Sequence, residues 1–263
     1  MSEQPSATLY AIPGSHACET GALMLEHKGI EYRRVDFWPG VHSLMVRMRG
    51  FPGKGQTRML GDAKPTFSVR MGDRLGTVPA LKLGDERLQT NHAIARRLDE
   101  LDPEPPLFPA DPAQRAKVEE AEGWADDPFQ MFARRLTLAA VLHGPDALYD
   151  RGGKGRLGAL LWHNDRMRLH GSRMLAKRVF SANPDTERKM LDELPEQLDR
   201  IDGYIADGVL GGERLYAPDY AVASSLAILS YRKDLRPLID ARPAGALVDR
   251  VWAERSGPVG RQT

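Results

Sequence analysis

Thr8-Leu9-Tyr10-Ala11-Ile12-Pro13-Gly14-Ser15-His16-Ala17-Cys18 is the stretch on which the reading of the fold turns. Residues 8–12 are a short apolar run of strand-forming type, and Pro13-Gly14 ends it, so a buried strand and a turn are expected. A helix then begins at Ser15, takes apolar surface from Ala22, Leu23 and Leu25, and stops at Gly29 after Lys28. Residues 31–37 (Glu-Tyr-Arg-Arg-Val-Asp-Phe) read as a second strand. Residues 77–83 read as a third, and residues 86–88 as a fourth after the turn at Gly84-Asp85. Residues 91–101 are helical, with Ile94, Leu98 and Leu101 spaced four and three apart. The first part of the chain is therefore an α/β unit of β-α-β-β-β-α type.

Its second and third strands are joined by a connection of about 39 residues carrying Arg47, Arg49, Lys54, Arg58, Lys64, Arg70 and Arg74. Loop 39–76 reads as a lid or a disordered segment. Gly50-Phe51-Pro52-Gly53-Lys54-Gly55 looks like a mobile turn within it, and residues 67–71 could add a short strand. Gly53-Lys54-Gly55 lacks the spacing of a phosphate-binding loop.

Residues 102–112 contain five prolines in eleven positions and read as a stiff linker. Beyond it the pattern is helical almost throughout. Residues 113–142 have long helical character interrupted at Pro128, and residues 157–180 read as a helix with a basic exposed side. Leu191, Leu194, Leu198, Ile201 and Ile205 mark one apolar stripe on a helix from about Thr186 to Asp207. Residues 219–233 and 244–254 read as the last two helices. The expected organisation is an α/β domain over 1–103, a linker over 104–112 and an all-α domain over 113–263.

Composition bounds the chemistry. The 263 residues carry 37 Lys+Arg against 36 Asp+Glu, a formal charge of +1, which argues against a general nucleic-acid binder. The lone Cys18 excludes an intrachain disulfide, a cysteine-rich metal site and a Cys-x-x-Cys redox pair. The first six residues lack a basic n-region and an apolar h-region, and no apolar run approaches the ~20 residues of a membrane helix. A cytoplasmic protein without a membrane partner is the expectation.

The layout and three local motifs resemble the glutathione S-transferase family over roughly residues 7–252. The first is the quoted stretch running on to Glu26-His27-Lys28-Gly29-Ile30-Glu31-Tyr32, similar to the bacterial Ser/Cys-type and omega-like groups. The second is Thr77-Val78-Pro79-Ala80-Leu81, in which the family has a cis Val-Pro bond. The third is Tyr216-Ala217-Pro218-Asp219-Tyr220, which resembles the Ser/Thr-x-x-Asp box at the start of a buried helix, with Tyr216 in place of the usual cap. The resemblance implies a thioredoxin-like N-terminal domain and an all-helical C-terminal domain. It also implies a homodimer that binds glutathione and transfers it to a small electrophilic molecule.

A helix N-terminus carries about half a positive charge and favours an anion. A thiol held there ionises more easily, and the thiolate is the nucleophile. The resemblance places the catalytic hydroxyl at Ser15, preferred over Tyr10 because of its spacing to Gly29, although a Ser in this position can also be a plain cap. Cys18, three residues on, fills the second position of a Cys-x-x-Cys-like turn and reads as a packing residue. Gly14 and His16 flank the expected thiol site. His16 could donate to a thiolate or face solvent. The cis bond before Pro79 would turn the N–H and C=O of Val78 toward a peptide-like cofactor.

Gln89, Thr90 and Asn91 stand where the family grips the γ-glutamyl end of glutathione. Asn91 can cap its helix and face a carboxylate. Thr90 carries neither carboxylate nor carboxamide, so the contact to the ammonium group would fall to Gln89, and another low-molecular-weight thiol is compatible. Trp124, Phe129 and Phe132 read either as a hydrophobic substrate pocket or as core. The basic stretch 151–178 reads as a solvated face or as a rim drawing acidic ligands inward. A non-catalytic binding or assembly protein, and a thiol–disulfide reductase, are the competing readings.

Overall fold

The structure, a computed structural model, describes residues 6–38, 41–52, 76–143, 177 and 183–252. Strand β1 (Ala7–Ala11) leads into helix α1 (His16–His27) and strand β2 (Tyr32–Asp36). Helix α2 (His42–Met48) follows. Strands β3 (Ala80–Leu83) and β4 (Glu86–Gln89) are joined by a tight turn in which Gly84 takes φ +57°. Helix α3 (Asn91–Leu101) completes this part.

The four strands lie in the order β2-β1-β3-β4. β1 runs parallel to β2, with Ala7 opposite Tyr32, and antiparallel to β3, with Tyr10 opposite Ala80. β3 and β4 form an antiparallel hairpin with Leu83 opposite Glu86. The central strands β1 and β3 are the apolar ones. The edge strands carry Arg33, Arg34, Asp36, Glu86 and Arg87, which blunt them against further pairing. The α/β arrangement is therefore the expected one.

The helical part begins with α4 (Pro112–Trp124), whose N-cap Asp111 accepts from the Gln114 N–H at 2.8 Å while Pro112 holds the first helical position. A π-helical turn, Ala125–Phe129, contains Pro128 and leads directly into α5 (Gln130–Ala139). Proline has no N–H for the helical ladder, and the chain passes it by widening one turn instead of ending the helix. A short 3-10 turn follows, Ala140–Leu142. Then come α6 (Pro184–Ala206), α7 (Ala217–Leu229), α8 (Arg236–Asp240) and α9 (Pro243–Val251).

All thirteen residues of α7 are buried, as a helix apolar on every side should be. It packs against α1, α4, α5 and α9. Its N-terminus is held by Asp219, whose carboxylate accepts from the N–H groups of Gly211 and Tyr216, both at 2.7 Å. The α6 stripe is as expected: Leu194, Leu198 and Ile201 are buried, with Leu191 and Ile205 partly so.

Two features differ from the reading of the sequence. The connection after β2 opens with a helix, α2, where a loop was expected. Its Val41, Leu44 and Met48 share one face, and that face is exposed, while Ser43 and Val46 point inward. The proline-rich linker is also more than a spacer. Leu107 and Phe108 within it are buried and belong to one continuous core with α1, α3, α4 and α7. The Leu107 N–H donates to Asp99 at 2.7 Å and its C=O accepts from the Ala217 N–H at 2.9 Å. Arg96 and Arg115 stand over the Phe108 ring. The helix expected over 157–180, the strand over 67–71 and the basic stretch 151–178 fall wholly or almost wholly outside the described residues. No helix among the described residues is long and apolar enough to cross a membrane.

Candidate functional site

The turn after β1 is fixed by backbone geometry. The Ser15 N–H donates to the Ile12 carbonyl at 3.1 Å, and Gly14 takes φ +77°, a conformation that favours glycine. Ser15 is then the N-cap of α1, extended at φ −79° and ψ 111°, and its carbonyl accepts the first helical bond from Glu19 at 3.0 Å. Its side chain makes no capping bond. The hydroxyl instead lies against the sulfur of Cys18, one turn into the helix.

Cys18 is fully buried, packed with Tyr10, Phe37, Val46, Phe51, Val78 and Ala80. Burial pushes its thiol up, against the opposing pull of the Ser15 hydroxyl and the Ile12 backbone, so it stays protonated at neutral pH. Tyr10 is buried between Phe37 and Phe51, stacked on the first with ring centroids 5.5 Å apart and edge-on to the second.

His16 faces the helical part of the molecule. It is fully buried, and its Nε2 stands 3.2 Å from the Gln130 carbonyl of α5. Burial and then the Arg134 charge hold its pKa well below the usual imidazole value. A neutral ring beside a carbonyl must carry its proton on Nε2, which leaves Nδ1 as a lone-pair acceptor; Nδ1 has no hydrogen-bond partner.

The second wall comes from β3 and α3. The Val78–Pro79 bond is cis, and Val78 lies just beyond the last laddered pair, Tyr10 with Ala80. The Gln89 amide donates to the Thr77 carbonyl at 3.2 Å, so this side chain pins the turn before Pro79. Thr90, not Asn91, is the N-cap of α3: its Oγ1 accepts from the Ala93 N–H at 3.3 Å. Thr90 does so at φ +76°, the single non-glycine residue at positive φ among those described. That is a strained conformation for a β-branched side chain.

Asn91 reaches across instead and donates to the Ala17 carbonyl at 3.0 Å, tying α3 to α1. The crossing is close at Gly21, where an added Cβ would stand 3.3 Å from Asn91 Oδ1 and 3.5 Å from the Pro79 ring.

Asp126 is the residue that reading the sequence missed. It sits on the π-helical turn, and its carboxyl lies against the Asn91 side chain. Burial and the neighbouring Glu122 push its pKa up to about 7, with Asn91 and His92 acting the other way. Glu122 itself is gripped by Arg96 through two bonds of 2.7 and 2.8 Å. The acidic group that the local sequence at Thr90 lacks is thus brought to α3 from the helical domain. Asp126-Asp127-Pro128 inside a helical run was the only local signal for it.

The three aromatic residues separate. Trp124 and Phe129 are buried and stacked, 4.7 Å between centroids, with Arg200 over the Trp124 ring. They are core. Phe132, partly buried, continues the stack on Phe129. No group of three or more potential metal ligands occurs among the described residues.

No protein-family model matches the sequence, and no curated protein sequence matches it. Solved structures do. A GST-like protein from Pseudomonas syringae is 17% identical over 97% of this chain and 69% of its own, with a TM-score of 0.56. A glutathione S-transferase from Sinorhizobium meliloti 1021 is 16% identical over 98% and 96% of the two chains, with a TM-score of 0.58. The theta class glutathione S-transferase from the citrus canker pathogen Xanthomonas axonopodis pv. citri, with glutathione bound, is 19% identical over 94% and 96%, with a TM-score of 0.52. The chain has the fold of the glutathione S-transferases, a thioredoxin-like N-terminal domain followed by a helical C-terminal one.

Proposed function

We propose that the protein is a glutathione S-transferase-like enzyme that binds a low-molecular-weight thiol and activates it for attack on a small electrophile. One observation carries this reading. Ser15 stands at the N-terminus of α1 with its hydroxyl released from capping. A thiol bound there meets the positive end of the helix and a hydroxyl able to donate to sulfur. Because the Cys18 thiol is held protonated, it can donate to the Ser15 oxygen and leave the Ser15 proton for the ligand.

Glutathione fits the remaining groups. The backbone of Val78 would pair with its peptide bond, and its amino group would face Asp126 and Asn91. One of the similar structures has glutathione bound. Asp126 adds a carboxylate to the role expected of Gln89, whose amide N–H is spent on the Thr77 carbonyl while its Oε1 has no partner and can still accept. Gly14, Ser15, Val78, Pro79, Thr90, Asn91 and Asp126 would form the thiol site, with His16 behind it at the domain boundary. The boundaries 1–103, 104–112 and 113–263, a homodimer and a cytoplasmic location belong to the same reading.

A reductase role is disfavoured, because the nucleophilic position holds Ser15 and the only thiol is buried. The non-catalytic alternative draws on the lean of the Ser15 hydroxyl toward Cys18. Titration calorimetry with glutathione, followed by turnover of a chloronitrobenzene, separates the two. Binding with turnover supports the enzyme. Absence of heat with glutathione and with other small thiols refutes it in favour of the binding or assembly protein.

A further inference from the structure

Arg134 is the charged side chain that neither the fold nor the thiol site accounts for. It belongs to α5 and is half-buried. One of its five donors reaches Gln130 Oε1 at 3.2 Å, and no carboxylate among the described residues pairs with it. Elsewhere in the molecule, buried or half-buried arginines have such partners: Arg232 has Glu187 and Asp234, Arg34 has Glu19, and Arg96 has Glu122. An unpaired guanidinium in a shielded place is costly unless something else answers its charge.

Its surroundings locate the site. Arg134 lies within electrostatic reach of Cys18 and His16 at the start of α1 and of His42 at the start of α2. The starts of α1 and α2 therefore both approach this side chain of α5. Both imidazoles are kept neutral by burial and by the arginine itself, so neither cancels its charge nor adds to it. His42 Nδ1 is buried without a partner. Arg134 and the N-terminus of α1 both contribute positive potential here, while Glu19 in the first turn of α1 is paired with Arg34.

We propose that Arg134 binds a carboxylate carried by the electrophilic substrate, so that the enzyme selects acidic electrophiles. The inference rests on the thiol-transfer reading above. A planar fork with four donors left over matches the two oxygens of a carboxylate, whereas a sulfur anion offers a single atom. Arg134 lies on α5, whose Gln130 carbonyl meets His16 next to Ser15, whereas Val78 and Asn91 belong to the α/β part. A second reactant held by α5 would meet the thiol from the helical side. The reaction is an ordinary substitution: the thiolate sulfur bonds to the ring carbon, chloride leaves with the bonding pair, and the thiol proton goes to solvent.

The test uses a pair of nearly equal shape, 4-chloro-3-nitrobenzoate and 4-chloro-3-nitrobenzamide, one charged and one neutral, with each enzymatic rate divided by its uncatalysed rate with glutathione to remove the amide's stronger activation of the ring. Their kcat/KM values with glutathione, and their dissociation constants without any thiol, are measured on the wild type, Arg134→Gln and Arg134→Lys. The wild type should prefer the benzoate by about tenfold or more, as expected for a charge-assisted pair. Arg134→Gln should abolish that preference, and Arg134→Lys should keep part of it. Ratios taken on one variant are insensitive to partial loss of folded protein. No preference in the wild type, or a ratio unchanged in Arg134→Gln, overturns the proposal. An equal fall for both electrophiles, with a raised pKa of the bound thiol, assigns the arginine to the thiolate and also overturns it. If no thiol binds, the thiol-transfer reading fails, while benzoate binding still reports on Arg134.

Discussion

Two helix N-termini face each other across the candidate site, and they use their hydroxyl residues differently. At α1 the N-cap Ser15 sits in relaxed extended backbone and its side chain makes no cap. At α3 the N-cap Thr90 sits at φ +76° and its side chain does cap. The usual economy of a protein would be the reverse, a relaxed residue that caps. A strained Thr kept for a capping bond points to a backbone fixed by its neighbours, Pro79 and Asn91. A relaxed Ser that gives up its cap points to a hydroxyl reserved for another partner. The N-terminus of α7 supplies the purely structural extreme, with the buried Asp219 carboxylate holding two backbone N–H groups.

These contrasts are testable in order of size. Asp219→Ala leaves two buried N–H groups without acceptors and should lower stability by about 2–3 kcal/mol in urea unfolding. A loss under about 0.5 kcal/mol would mean that water replaces the carboxylate and that α7 is not anchored there. At α3, Thr90→Ala keeps the strain and loses the cap, for a cost of about 1 kcal/mol. Thr90→Gly loses the same cap but removes the strain, and a gain of about 0.5–1 kcal/mol is expected. Equal losses in both variants would show that the positive φ costs nothing.

A third contrast concerns pH. The carboxyl of Asp126 titrates near 7 in the folded protein, against 3.8 for a free Asp side chain. A raised carboxyl pKa contributes stability that is complete below pH ~4 and is lost as the pH rises through about 7. Wild-type stability should therefore fall between about pH 4 and pH 7 relative to Asp126→Asn and level off above that, as followed by thermal unfolding. Glutathione should reduce this slope, because an ammonium group beside Asp126 favours its ionised form. Parallel pH profiles for the two proteins would remove Asp126 from the site.

Much of this was legible in the sequence where the cause is local. The β1 run, the Pro13-Gly14 turn, the α3 periodicity and the cis Val78–Pro79 bond each follow from a few adjacent residues. The interruption at Pro128 was legible too, but its form was not: whether a helix breaks or widens depends on what packs around it. Helix α2 was missed because its apolar residues Val41, Leu44 and Met48 face outward, so the pattern did not read as a core-facing helix. The linker looked like a spacer because prolines dominate it, yet Leu107 and Phe108 are buried by helices far away in sequence. Asp126 and Arg134 were invisible for the same reason. They reach the α/β wall from the helical domain, and no spacing between neighbours encodes that approach.

The reading proposed above has the Ser15 hydroxyl serve a bound thiol and not the helix. Glutathione titrated into the wild type and into Ser15→Ala, followed by ultraviolet thiolate absorbance, tests it most directly, with urea unfolding of both proteins alongside. The expected result is a thiolate signal at neutral pH in the wild type, its loss or shift to higher pH in Ser15→Ala, and unfolding free energies within about 0.5 kcal/mol of each other, since no cap is removed. An unchanged thiolate signal in Ser15→Ala, or a stability loss typical of a broken N-cap, would contradict it.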